Sequence, residues 1–246
     1  MSKTAAIIAA TDHSAAAERA VARATAIAHH HQAPLDILHA SGNDPVAEIL
    51  ERARSSVASL VVLGAVGAGG AKDFLSTSVS ANVLRRSTSP VLIVRSPPEL
   101  GYRRAAVLID FSPASRAAIR AARLAAPLAQ VVLCHALGLP ATATTGQFGT
   151  TDPILTRHHD NRRAAAREKL EVLATKCGLA SGEYEILIHD GSVIEAIEGP
   201  LLDTSVDLVV TAKHGRGRLT ELILGSITRQ VLAKTVTDVL VVTDES

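Results

Sequence analysis

The feature that most constrains this 246-residue chain is that it repeats itself. Residues 57–94 and 205–242 align without a gap. Leu60-Val61-Val62 falls on Leu208-Val209-Val210, Gly67 on Gly215, and Ser78 on Ser226. Val91-Leu92-Ile93-Val94 falls on Val239-Leu240-Val241-Val242. Upstream, Ile8 to Ser14 matches Ala106 to Ser112, and Leu35 to Ala40 matches Val131 to Ala136. A period near half the chain means two homologous domains rather than a solenoid. They are placed at residues 1–97 and 101–246, with a short stiff linker around Ser96-Pro97-Pro98-Glu99.

The copies differ in the middle. A long stretch separates His135 from Gly191, whereas His39 is followed almost at once by Gly42-Asn43-Asp44-Pro45. The second copy uses its extra length for a loop, a helix near residues 152–177 and a strand at Tyr184 to Ile188. The first domain is therefore predicted to lack one helix and one strand. Elsewhere strands alternate with helices, which argues for parallel α/β sheets with right-handed crossovers. Ser14 and Ser112 are N-cap candidates, and Pro113 suits a first helical position. Only 2% of residues are aromatic, so the core must be Ala, Val, Ile and Leu, as in a parallel sheet buried on both faces.

Composition excludes several classes. Formal net charge is +1, which gives no global drive toward nucleic acid or an anionic membrane. No apolar run is long enough to span a bilayer, and the N-terminus reads as a strand rather than a signal peptide. Cys134 and Cys177 match no metal or redox spacing, and Cys134 reads as a buried thiol. A cytoplasmic protein is expected.

In open parallel sheets, ligands bind beyond the carboxyl ends of strands, where strand order switches. Asp12 and Asp110 end their first strands there. Ala212-Lys213-His214-Gly215-Arg216-Gly217-Arg218 follows the strand formers at 206–210, and Gly225-Ser226-Ile227 opens a helix beyond it. A basic Gly-rich loop leading to a Gly-Ser helix start is a candidate phosphate cradle, because backbone amides can approach the anion and cations neutralise it.

On these residues the chain resembles the universal stress protein family in its tandem two-domain form. The resemblance implies two flavodoxin-like, adenine nucleotide alpha hydrolase-like domains. It also implies antiparallel pairing of the last strands, at residues 91–94 and 239–242, as an internal pseudo-dimer. Nucleotide-binding members carry Gly, two residues, Gly, nine residues, then Gly and Ser or Thr, with an Asp at the end of the first strand. The first domain has Gly64, Gly67 and Ser78, but Thr77 replaces the third Gly. The second has Gly215, Gly225 and Ser226, but Ala212 replaces the first Gly. A Thr crowds the helix N-terminus that faces phosphate, whereas Ala adds one methyl where adenosine would approach. The second domain is thus the better candidate. Asp110, Ala212, His214, Gly215, Arg216, Gly217, Arg218, Gly225, Ser226 and Ile227 would hold ATP or another adenine nucleotide, with or without Mg²⁺. Asp12, Gly64, Gly67 and Ser78 form the weaker first-domain set.

Other readings compete. Asp12 and Asp110 also suit helix capping, Ser226 suits an N-cap, and Arg216 and Arg218 suit solvated loop cations. His29-His30-His31 closes a helix, and neighbouring helical positions diverge too far to share one ion. His158-His159 reads as a solvated helix start, with zinc binding left open. His39 and His135 are expected to hydrogen-bond near strand ends. The small-residue loop at 138–149 is a connector or a lid. No nucleophile elbow or Walker motif is present, so any ATP hydrolysis would be slow and incidental. Three functions follow: a nucleotide-binding stress-response sensor with an unidentified protein partner, a nucleotide-free interaction protein, or a weak ATPase or self-phosphorylating protein using Ser226. Further homodimerisation stays open.

Overall fold

The computed structural model describes residues 5–40, 42–65, 78–97, 101–138, 153–201, 205–213 and 224–243. The N-terminal half runs β1 (Ile7–Thr11), α1 (Ala15–His31), β2 (Leu35–His39), α2 (Pro45–Ser55), β3 (Leu60–Gly64), α3 (Val79–Arg86), β4 (Val91–Val94). The C-terminal half runs β5 (Arg104–Leu108), α4 (Ala114–Ala125), β6 (Gln130–Ala136), α5 (Pro153–Lys176), β7 (Tyr184–His189) and α6 (Val193–Ala196). After a segment at Ile197–Leu201 that kinks at Gly199 it continues with β8 (Leu208–Ala212), α7 (Ser226–Lys234) and β9 (Asp238–Val242).

All nine strands form one sheet, in the order β2-β1-β3-β4-β9-β8-β5-β6-β7. Within each half the strands are parallel. The halves meet where β4 and β9 pair antiparallel, with Val91 opposite Val241, Leu92 opposite Leu240 and Ile93 opposite Val239. Under the sequence repeat Leu92 corresponds to Leu240, so the register is symmetric about that pair.

The shortened first half is seen directly. Among the described residues the C-terminal half has five strands, the N-terminal half four, and the strand without a counterpart is the outermost, β7. The sheet therefore ends on β2, whose Ile37 is 42% exposed. Asp36 on this rim strand forms a 2.7 Å ion pair with Arg52 of α2, a charge placement that discourages edge pairing.

Alternate residues of each buried strand serve two cores, as expected for a parallel sheet covered on both faces. Ile7, Ala9, Leu60, Val62, Leu208 and Val210 face α1, α4 and α5. Ile8, Val61, Leu63, Val209, Val239 and Val241 face α2, α3, α6 and α7. Alanines at 17, 20, 24 and 28 of α1 and at 117, 118, 121, 122 and 125 of α4 are buried. Small side chains let these helices lie close on the sheet, which supplies a dense core with few aromatics.

Residues at the two ends of the linker, Arg95 and Ser96 at one and Tyr102 at the other, gather in a polar cluster around Asp238, which is 0% exposed. Its Oδ1 accepts the Arg95 and Ser96 amides at 2.8 Å, and its Oδ2 accepts the Tyr102 hydroxyl at 2.5 Å. Arg23 of α1 reaches the same carboxylate at 3.7 Å and lies over the Tyr102 ring at 4.1 Å. Arg95 also donates to the Thr235 and Leu232 carbonyls at the end of α7. Asp238 stands where the first repeat has Pro90, so this anchor exists on one side of the seam only.

Candidate functional site

The strand order switches between β1 and β3 in the first half and between β5 and β8 in the second. In open α/β sheets a ligand crevice forms where the carboxyl ends of two such strands part. In the N-terminal half that crevice is a cavity of about 630 Å³. Asp12, Ser14, Arg19, Gly64 and Ser80 supply its polar and small lining, and Ile49, Leu63 and Val79 its apolar wall.

Two local devices shape its rim. Ser14 caps α1, its hydroxyl accepting the Ala17 amide at 3.2 Å. Asp12 accepts the Ser14 amide at 3.0 Å, and hydrogen bonds from the Ser14 hydroxyl and amide hold its carboxyl below the usual range. A Cβ on Gly64 would meet the Ala16 carbonyl carbon and oxygen at 2.5 Å, so this glycine is required by the approach of the α1 backbone.

The second half carries Ala212 at that position and is built differently. There α4 begins one residue later than α1 does in the repeat, with Pro113 as N-cap and no side-chain cap. Ser112, the expected N-cap, instead gives its amide to Asp110 Oδ1 at 2.9 Å, and its own hydroxyl oxygen is buried without a partner. Ser115 donates its hydroxyl to the same Asp110 oxygen at 3.1 Å. Asp110 is thus bound into the start of α4 from two sides.

The two helix starts beyond the Gly-rich loops also differ. Ser78 is the N-cap of α3, and its hydroxyl accepts the Ala81 amide at 3.1 Å. In the C-terminal half the N-cap is Gly225, one position earlier in the repeat, and among the described residues no side chain caps α7. Ser226, expected as a possible cap, is instead the first helical residue and is exposed. Gly225 donates its amide to the Lys213 carbonyl at 3.0 Å. Both halves share one brace: Ser80 donates to the Gly64 carbonyl and Thr228 to the Ala212 carbonyl, each at 2.8 Å. Ile227 is 38% exposed beside this start. His214, Gly215, Arg216, Gly217 and Arg218, like Gly67, Thr77 and the 139–149 part of the small-residue loop, lie outside the described residues.

Lys213 opens the basic loop in sequence, yet it points away from it. It is 4% exposed and donates to the Arg85 and Ser87 carbonyls at the end of α3 in the other half. A cation there complements the helix dipole.

The histidines find structural partners. His31 bonds the Leu124 carbonyl at 2.9 Å, joining α1 to α4. His159 contacts Asp190 at 2.9 Å, where Arg163 also binds at 2.5 Å. Among the described residues no group of three or more His, Cys, Asp or Glu could hold a metal ion. His135 bonds the Ile109 carbonyl at 2.7 Å, a strand-end hydrogen bond as expected. Its ring packs on Phe111 at 4.5 Å, and His39 packs on His13 at 4.9 Å. His13 and Phe111 both adopt left-handed backbone, φ 63° and 60°. The repeated positions of His39 and His135 signal the rings, but nothing local in sequence predicts φ > 0 at a histidine and a phenylalanine. Burial pushes the Cys134 thiol up to about 12.

The sheet order and the shortened first half define a tandem α/β protein. The Universal stress protein family model matches residues 40–95 and 101–243, and the chain belongs to that family. It is 28% identical over 193 residues to a universal stress protein of Mycolicibacterium smegmatis, covering 76% of this chain and 63% of that protein. It is 43% identical over 60 residues to Universal stress protein YxiE of Bacillus subtilis, covering 24% of this chain and 40% of that one. The matches thus span less than two thirds of either relative. In fold it is similar to a universal stress protein from Archaeoglobus fulgidus, with TM-score 0.66 and 17% identity over 98% of this chain and 97% of that chain. Among the described residues no helix is long and apolar enough to cross a membrane.

Proposed function

We propose that this protein is a stress-response sensor that binds ATP or a related adenine nucleotide in its C-terminal half. The observation that carries this reading is the start of α7. Gly225 is the N-cap, among the described residues no side chain caps the helix, and Ser226 is exposed as its first residue. An uncapped helix start leaves amides for an anion, aided by the helix dipole. In the other half the Ser78 hydroxyl already occupies the Ala81 amide of α3. Strands β5 and β8 are hydrogen-bonded neighbours, which sets the Asp110 side of the crevice next to Ala212.

In this reading the amides of Ser226 and Ile227 hold phosphate, while Gly225, its own amide held by the Lys213 carbonyl, lets the anion approach the helix start. Gly215 and Gly217 bring the loop backbone close, while His214, Arg216 and Arg218 neutralise the charge, with or without Mg²⁺. Asp110 faces the adenosine side. Because Lys213 grips α3 across the seam, phosphate bound beside it would be felt by the other half. The inward turn of Lys213 also removes one cation from the loop, which favours the second reading, a nucleotide-free interaction protein.

Calorimetry with ATP, with and without Mg²⁺, separates the two. Saturable heat that is abolished by Gly225→Val and retained in Gly67→Val is the expected result. No heat at millimolar nucleotide overturns the proposal, and loss in both variants overturns its assignment to the C-terminal half.

A further inference from the structure

Helix α5 exists only in the C-terminal half, and it builds a cavity that the repeat does not have. The cavity measures about 460 Å³ and lies between α5 and the carboxyl ends of β5 and β6. Its size is within the range of sites for small organic ligands. Phe111 and His135 form one wall, Arg162 and Lys169 contribute from α5, Ala166 lines it beside them, and Asp110 is its carboxylate.

The chemistry of this lining is specific. The rings of Phe111 and His135 pack at 4.5 Å, tilted by 51°, and together offer an aromatic corner. Lys169 Nζ stands 5.8 Å from the centre of the Phe111 ring, and the lysine is exposed. Arg162 is steadied by donating to the Leu137 carbonyl at 3.0 Å. Two cations against one carboxylate leave one net positive charge, so a monoanion is matched and a polyphosphate is opposed by Asp110. The left-handed backbone at position 111 recurs at His13, so it belongs to the turn. What is particular to this half is a phenyl ring in that position with a lysine over it.

We infer that this cavity binds a small aromatic monocarboxylate, its ring against Phe111 and His135 and its carboxylate between Lys169 and Arg162. The site uses residues that the nucleotide reading does not, apart from Asp110, and does not rest on it.

Amide NMR of the full chain titrated with indole-3-carboxylate tests this, with indole-3-carboxamide as the neutral counterpart. Saturable shifts should appear at Phe111, His135 and Lys169, and the carboxamide should bind at least about ten-fold more weakly, the factor set by one hydrogen bond to a charged group. Lys169→Gln, at an exposed position, should weaken the carboxylate about ten-fold with the rest of the spectrum unchanged. Phe111→Leu, which keeps the backbone strain but removes the ring, should weaken both indoles. Gly225→Val should leave carboxylate binding intact. Absence of saturable shifts, equal binding of the carboxamide, no effect of Lys169→Gln, or loss in Gly225→Val each overturns the inference. The Gly225→Val arm also keeps the outcome separate from that of the ATP titration.

Discussion

Leu92 and Leu240 face each other in register at the centre of the antiparallel seam between the halves, and both are fully buried. Each is the other's repeat equivalent, so one side chain lies on either side of the pseudo-twofold. Leu240→Ala should lower stability by about 2–5 kcal/mol, the range for deleting a buried leucine. Because the seam is part of one continuous sheet, loss should appear in a single cooperative denaturant transition. A variant that unfolds in two separated steps, with the N-terminal half unaffected, would contradict this coupling.

Tyr102 makes stability depend on alkaline pH. Burial first, and then the charge of Asp238, raises its phenol well above the ordinary 10.0. A group whose pKa is raised on folding contributes stability that is fully present below its unfolded pKa and lost as pH rises through the folded one. Stability should therefore decline from about pH 10 upward, and Tyr102→Phe should flatten that decline. At neutral pH Asp238→Ala should cost about 3–5 kcal/mol, because it strands Arg23 and two linker amides in the interior. Urea titrations across pH check both.

The two serines of the repeat should behave differently. Ser78→Ala removes an N-cap and should cost about 1 kcal/mol. Ser226→Ala removes no capping bond and should leave thermal stability within about 0.5 kcal/mol. Equal losses in paired melts would mean that Ser226 caps α7 after all.

Gly64 and Ala212 form a second unequal pair. A methyl on Gly64 has the α1 backbone at 2.5 Å, so Gly64→Ala should destabilise by about 1–3 kcal/mol through overpacking. In Ala212→Gly the helix start is already set for the methyl, and only a small cost of about 1 kcal/mol for a strand glycine is expected. Calorimetric unfolding of the two variants tells them apart.

Much of this arrangement is legible in the sequence because it is repeated or periodic. The gap between His39 and Gly42 foretells the missing helix and strand, and the valine-rich last strands foretell the seam. What escapes is set by partners distant in the chain. Lys213 reads as a loop cation, but the end of α3 turns it inward. Ser112 reads as an N-cap, yet α4 starts one residue later, on Pro113. Arg19, which lines the N-terminal crevice, stands where the second repeat has Ala117, so comparison of the copies gave no cue to it. The left-handed backbone at His13 and Phe111 carries no glycine or asparagine to announce it.

The seam also sets an order of events during synthesis. Strand β4 is wholly apolar and sits in the interior of the sheet only because β9 pairs with it. A ribosome delivers β4 early and β9 last among the described strands. While the second half is being made, the first presents a bare Val91-Leu92-Ile93-Val94 rim, the kind of surface that recruits chaperones or stray strands. A nascent chain halted before Asp238 should therefore be held by chaperones and released once translation passes Val242.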